Sequence, residues 1–327
     1  MLPGFSYVRA RSLDQALEQL SKGEAGILAG GTDLLGCLRD SVFSTNKLVS
    51  ITRVKDLKGI IETKEGGLRI GALTSISEIA AHPLIRERYQ ALGQAALQVA
   101  TPQLRNQGTI GGNLCQKPRC WYYRGGFHCQ RKGGDTCYAF RGENQFHGIF
   151  GSDGICCYVH PSDIAPVLTA LEAQVRIVGP RGTKVVPIGR FYLLPRENVE
   201  RETVLETADI VTDIVIPPPA EGLVTRYRKV RVRRSWDFAL AGAALALVFK
   251  GGKVERAGIV LSGAAPVPWR SRSAEEALTG HVLDHKTIER ACRAAVEKAQ
   301  PLRHNEYKVP LFKAILEEEL TGQGRDS

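Results

Sequence analysis

Apolar residues along this chain switch repeatedly between a helical spacing and a strand spacing, and the switches are marked by glycines and prolines. Leu13, Ala16, Leu17 and Leu20 share one helical face behind a Ser12–Gln15 capping pattern, so a short amphipathic helix is expected to end near Gly23. A small apolar strand over 25–29 then runs into Gly30-Gly31 and Thr32-Asp33. Strands are expected at 47–51, 59–62 and 68–72, the last two joined as a hairpin across Gly66-Gly67. Ser75 with Glu78 opens a helix, Pro83 interrupts it, and a longer amphipathic helix runs through Leu92 and Leu97 to about Val99.

Farther on, Ser162-Asp163 has the composition of an N-cap for a helix over 164–171, and 174–178 pairs with 183–187 across the turn GPRG. A strand over 210–216 stops at Pro217-Pro218-Pro219, a stiff extended tract that reads as a domain boundary. Beyond it, 224–232, 240–249 and 254–261 are expected as strands, followed by helices at 273–278, 286–299 and 310–320. The expected organisation is therefore two parts, 1–218 and 219–327.

At 327 residues the chain can bury more than one core without disulfide staples. The N-terminal residues lack an apolar stretch bounded by a small-residue cleavage site, and the longest apolar run, 239–249, is too short to cross a bilayer. A cytoplasmic protein without membrane insertion is the expectation. The net charge of +10 admits nucleic acid, an acidic partner or an anionic cofactor. No helix-turn-helix, zinc-finger or aromatic single-strand signature accompanies the basic residues, so nucleic-acid binding is not expected.

Two glycine-pair segments carry the first candidate chemistry. Ala29, Gly30, Gly31, Thr32, Asp33 and Leu34 follow a strand, and Gly108, Thr109, Gly111, Gly112 and Asn113 follow a helix. Glycine pairs let backbone N–H groups converge on a phosphate, and two such loops can grip one long anionic ligand. Neither is a GxGxxG fingerprint, so no Rossmann fold is implied. In the basic strand, Tyr227, Lys229, Arg231 and Arg233 alternate onto one face, either a solvated surface or a cationic wall beside a phosphate or flavin.

The second candidate chemistry lies directly behind the second glycine pair, where 109–157 holds six of the eight cysteines. From Cys120 the spacing is C-x8-C-x7-C, then nineteen residues to Cys157, with Cys156 beside it as a rival. Structural zinc sites usually contain a close C-x2–4-C knuckle, and none occurs here. Thiolates from separated turns suit a 4Fe-4S cubane, although ferredoxin spacing is also absent, and uncommitted thiols remain an alternative. Cys37 and Cys292 read as ordinary buried thiols, and Arg119, His128, Arg131 and Lys132 as possible charge partners of a cluster.

AGGTDLL, TIGGN, SDIAP, IVIP and RKVR occur in that order, and the ordered set resembles the FAD-binding subunit of the xanthine dehydrogenase family of molybdenum hydroxylases. The resemblance implies a vanillyl-alcohol-oxidase-type (PCMH-like) FAD domain of two α+β subdomains, followed by a C-terminal α+β domain like that of the carbon monoxide dehydrogenase flavoprotein. It makes residues 29–34 and 109–113 the FAD pyrophosphate loops, with Asp163 and Lys229 approaching the cofactor. The intervening NLCQKPRC, HCQRKGGDTC and CCYV look like the cluster-bearing insertion, about 115–158, of the 4-hydroxybenzoyl-CoA reductase beta subunit.

That likeness implies Cys120, Cys129, Cys137 and Cys157 as 4Fe-4S ligands. It further implies a heteromeric complex with a molybdenum-cofactor large subunit and a 2Fe-2S small subunit, of the kind that can assemble as a dimer of heterotrimers. Ferredoxin or another external carrier would exchange electrons with it. The rival readings are a stand-alone FAD-dependent oxidase and, in another class, a zinc-stabilised basic binding module.

Overall fold

In a computed structural model the chain is described over residues 2–323. Strands β1 (Ser6–Arg9), β2 (Gly26–Leu28) and β3 (Lys47–Ser50) form a parallel sheet in the order β1-β3-β2. The crossover helix Leu13–Ser21 packs Ala16 and Leu20 against Val49 and Ile51. Ser12 caps that helix through its side chain, as the sequence pattern required.

Strands β4 (Ile60–Glu62), β5 (Leu68–Gly71), β6 (Gln174–Gly179), β7 (Gly182–Pro187) and β8 (Ile210–Ile216) build an antiparallel sheet in the order β4-β5-β8-β6-β7. Its central strand, β8, is buried along nearly its whole length, Thr212 and Asp213 included, so IVTDIVI lacks the alternation of a strand with one solvated face. The helices Ile76–Ala81, Gln90–Gln98 and Ile164–Ala170 contribute to the core of this sheet.

Strands β9 (Leu223–Val230), β10 (Ala241–Lys250), β11 (Lys253–Ser262) and β12 (Trp269–Arg270) form the third sheet, in the order β12-β11-β10-β9. Here β10 is buried on both faces. Ala243, Leu245 and Leu247 face the C-terminal helices, while Ala244 and Ala246 join the core of the five-stranded sheet. The alternation of alanine and leucine follows from that arrangement, since small side chains let the helix Ile164–Ala170 approach. Gly258 on β11 makes the closest approach, where a Cβ would lie 2.7 Å from the carbonyl oxygen of Ala170.

Several expectations need correction. The long helix ending near Val99 is two helices, Pro83–Arg88 and Gln90–Gln98, separated at Tyr89, whose hydroxyl donates to the carbonyl of Pro217. Leu97 is exposed rather than on the buried face. The strand holding Tyr227 and Lys229 ends at Val230, so Arg231 and Arg233 do not continue its face. Strand β1 and the helix Leu34–Arg39 escape sequence reasoning: the first is a four-residue segment without alternation, and the second is masked by the glycines before it.

Candidate functional site

The first glycine segment forms the turn between β2 and the helix Leu34–Arg39. Gly31 adopts φ +72°, a conformation glycine takes without a steric penalty. Gly30 has a different reason to lack a side chain, because a Cβ there would lie 2.1 Å from the carbonyl oxygen of Gln107. The two candidate loops therefore touch backbone to backbone. The second is not a glycine turn: Gly111 and Gly112 lie in the short helix Ile110–Leu114, which Thr109 caps by accepting from the Gly112 N–H. Gly111 packs against Ala72, whereas a Cβ on Gly112 would meet only the Thr109 hydroxyl, at 3.2 Å.

A cleft of about 560 Å³ opens between the loops, lined by Gly31, Thr32, Asp33, Gly108, Thr109, Gly112 and Asn113. Asp163 reaches it from one side, and Trp236 and Phe238 close the other. A second cleft of about 650 Å³ holds Ala29, Gly30 and Arg53, with Lys55, Lys58 and Ser75, and shares Thr109 with the first. Together they fit an extended dinucleotide: backbone without side chains at the joint, lysines and Arg53 in the second cleft, and Arg39, Arg119 and Arg124 with the rings of Trp236 and Phe238 in the first. Leu34, Gly111 and Lys229 line neither cleft. Sequence reasoning missed Arg53, Lys55, Lys58, Trp236 and Phe238, which no local motif marks.

Asp163 does not cap its helix. Ser162 takes that role, its hydroxyl accepting from the N–H groups of Ile164 and Ala165 and donating to Asn113 Oδ1 at 2.5 Å. The Asp163 carboxylate instead accepts from the Tyr227 hydroxyl and from Lys229 Nζ, both at 2.7 Å. All three residues are buried, and the carboxylate lifts the Tyr227 phenol well above its ordinary range, with burial the larger cause. Lys229 is thus a neutralised cation behind Asp163 rather than part of an open cationic wall. An ion pair this deep in the protein fixes the wall of the cleft, since removing either partner strands the other.

In the cysteine segment, each of the first three candidate ligands stands immediately before a helical turn. Cys120 precedes Trp121–Arg124, Cys129 precedes Gln130–Lys132, and Cys137 precedes Tyr138–Phe140. The Cys120 sulfur thereby receives N–H groups of Tyr122 and Tyr123, and that of Cys137 receives those of Ala139 and Cys157. Cys137 interacts with the neighbouring Cys156 and Cys157 thiols, which lowers the pKa of Cys137 and raises theirs. Cys120 lies within electrostatic reach of Cys129, Cys137 and Cys157, and burial pushes its thiol up to about 11.

The four cysteines singled out by the resemblance are thus gathered in one region, together with Cys156. Cys115 is separate, with its thiol pushed up by burial to about 12. Among the described residues, no three His, Cys, Asp or Glu side chains are grouped as around a single metal ion. Cys129 and Cys157 are buried and Cys120 and Cys137 half-buried, and backbone N–H groups reach the sulfurs of Cys120 and Cys137. His147 Nε2 is 3.3 Å from Cys120 Sγ.

Two sets of contacts tie this module down. Toward the cleft, the Asp33 carboxylate accepts from Arg124 at 2.7 Å and from the Lys117 N–H at 2.7 Å, and pairs with Arg119 at 2.8 Å. Arg131, stacked against Tyr123 and Tyr158, pairs with Glu202, which also holds Lys117 at 2.6 Å. Toward the C-terminal part, Asn305 donates to the carbonyls of His147 and Gly148, and Lys308 to those of Phe146 and Gly263. Cys157 and Pro161, a residue of the cleft wall, are four residues apart, so their Cα atoms are within about 14 Å. Among the described residues, no helix is long and apolar enough to cross a membrane.

Comparisons with known proteins agree with this geometry. Residues 3–219 match the family described as the FAD binding domain in molybdopterin dehydrogenase, and 226–321 the CO dehydrogenase flavoprotein C-terminal domain. The chain is 33% identical to the aldehyde oxidoreductase FAD-binding subunit PaoB of Escherichia coli, over 96% of each chain. It is 28% identical to the carbon monoxide dehydrogenase medium chain of Hydrogenophaga pseudoflava, over 91% of this chain and 88% of that one.

A solved carbon monoxide dehydrogenase from the same organism, lacking the Mo-pyranopterin moiety of its molybdenum cofactor, superposes with a TM-score of 0.77 at 26% identity. The match covers 97% of this chain and 96% of that chain. The expected fold, an FAD-binding domain followed by a CO dehydrogenase flavoprotein C-terminal domain, is the one observed. The chain belongs to the molybdenum hydroxylase, or xanthine dehydrogenase, family, as an FAD-binding medium subunit of its oxidoreductases.

Proposed function

We propose that this chain carries both FAD and a 4Fe-4S cluster and passes electrons between them within a molybdenum hydroxylase-type complex. Its partners in that reading are a molybdenum-cofactor large subunit and a 2Fe-2S small subunit, with ferredoxin or a similar carrier outside, in the cytoplasm. Residues 1–218 form the FAD domain, about 115–158 an inserted cluster module like that of the 4-hydroxybenzoyl-CoA reductase beta subunit, and 219–327 the C-terminal domain. The likeness to PaoB favours an aldehyde among the substrates that the complete enzyme could oxidise.

The observation that carries the cluster reading is the convergence of Cys120, Cys129, Cys137 and Cys157 in a region tied to the cleft by Asp33. When bound, FAD supplies two-electron and one-electron redox chemistry, and a cubane exchanges one electron at a time. The chain's own residues do the positioning. Ala29–Leu34 and Gly108–Asn113 hold the dinucleotide, with the bare backbone at Gly30 letting the two loops close on each other and that at Gly112 leaving room for the pyrophosphate. Asp163, locked by Tyr227 and Lys229, fixes one wall of the cleft. Arg131 and Glu202 hold the module in register with it.

Single Cys→Ser variants at 120, 129, 137 and 157 test this. Each is expected to lose most of the iron and of the reduced-cluster paramagnetic signal while keeping FAD, whereas Cys115→Ser keeps both. Full cluster signal in all four variants would overturn the ligand set, and Cys156→Ser decides between the adjacent thiols.

A further inference from the structure

Burying a cation without an anion is costly, and such charges in folded proteins are normally paired. Three Lys or Arg residues are buried among the described residues: Arg131, Lys229 and Lys308. Arg131 is paired with Glu202 and Lys229 with Asp163. Lys308 is the most buried of the three, at 0% exposure, yet its ammonium meets only two carbonyl oxygens, those of Gly263 at 2.8 Å and Phe146 at 3.4 Å. It also stands at the first position of the 16-residue helix Lys308–Gln323, the end at which the helix dipole is positive and disfavours a cation. Burial without an anion pushes Lys308 down to about 7, so the residue is a full cation near neutral pH only when a negative charge that the chain's own carboxylates do not provide stands nearby.

The place where that anion belongs is indicated by the contact with Phe146. The next residue, His147, has Nε2 3.3 Å from Cys120 Sγ. The ammonium therefore contacts, from the C-terminal part, the residue preceding the histidine that touches Cys120. A cluster held by four thiolates carries net negative charge, and reduction adds one more negative charge without a proton.

We propose that Lys308 is the built-in counter-cation of the cysteine module, a positioning residue that stabilises the reduced state of the cluster and so sets its potential. The inference rests on the cluster reading above. The one-electron step is simple in balance: a reductant, the reduced flavin in the complex or dithionite in the test, loses an electron that the cluster gains. Lys308 changes no bond in this step. It lowers the cost of the added charge through space, in a region from which water is excluded.

The same residue could act only as a strut between Phe146 and Gly263, and the two roles separate on the measured potential. The test is an anaerobic dithionite titration of the purified protein, followed by paramagnetic resonance, with iron and FAD assayed in each sample. Lys308→Gln keeps N–H donors for the carbonyls but removes the charge, Lys308→Met removes both, and Lys308→Arg keeps the charge. With iron retained, the Gln and Met variants are expected to show about a tenfold lower reduced-to-oxidised ratio at the wild-type midpoint, or ~59 mV, while Arg matches the wild type. The FAD midpoint should stay unchanged in all three.

A Gln variant with full iron and the wild-type cluster midpoint would overturn the proposal. Should Gln and Met lose the cluster, retention by Arg alone supports the charge, and equal loss in all three favours the strut and overturns it. Wild-type protein devoid of iron would instead remove the cluster reading itself, and this inference with it.

Discussion

The cleft and the cysteine module lie side by side but are held by different forces. The cleft is a backbone construction. Its loops leave a three-stranded parallel sheet and a short helix, they touch where Gly30 meets Gln107, and their polar groups are satisfied by capping hydroxyls. The module has little regular structure, only three short helical turns, and depends on side chains. Glu202, Asp33, Asn305 and Lys308 reach it from three separate parts of the chain. A scaffolded backbone site can be preformed before its ligand binds, whereas an insertion pinned by buried charges stays in place only while each charge keeps its partner.

The sharpest way to break this contrast is to strand a charge in the module. Glu202→Gln leaves Arg131 with carbonyl acceptors from Val199 and Glu200 but no carboxylate, and weakens the hold on Lys117. The expected cost is about 3 kcal/mol of stability. It should fall on the module first, so that iron content drops while FAD content is retained. A denaturant midpoint and the iron-to-flavin ratio measure the two halves of that statement. Equal loss of both cofactors would mean that the cleft depends on the module as much as the module on its charges.

A smaller effect separates the two glycines of the cleft. Gly30→Ala drives a Cβ into the Gln107 carbonyl and forces the loops apart, an overpacking cost of about 2 kcal/mol. Gly112→Val keeps ordinary helical backbone and fills only the open space over Thr109, so stability changes little while FAD affinity falls about tenfold. Thermal midpoints with and without added FAD distinguish them. A Gly112→Val protein that retains full flavin would remove Gly112 from the cradle.

Much of this was legible in the sequence because the signals are local. The capping residues Ser12 and Ser75, the hairpins across Gly66-Gly67 and across the GPRG turn, and the alternation that buries Tyr227 and Lys229 all follow from neighbouring residues. The cysteine spacing likewise marks the module. What escaped depends on contacts distant along the chain. Asp33 looked like a phosphate-loop residue, but its carboxylate is engaged by Arg119, Arg124 and the Lys117 backbone, more than eighty positions away. Lys229 looked like an open cation until Asp163, sixty-six positions earlier, was placed against it. Lys308 carries no local signal, since its meaning comes from what it lacks in three dimensions. Gly111 and Gly112 misled in the other direction, because a glycine pair reads as a turn even when, as here, it builds a helix that packs closely on Ala72.

The central claim is that one polypeptide holds a flavin in the backbone cleft and a cubane cluster in the module beside it. It is tested most directly by anaerobic purification with quantitation of FAD, iron and zinc per chain and a paramagnetic resonance spectrum after dithionite reduction. The account predicts one FAD, about four irons and a reduced-cluster signal that integrates to about one spin per chain. Flavin with no iron, or stoichiometric zinc in place of it, would contradict the account.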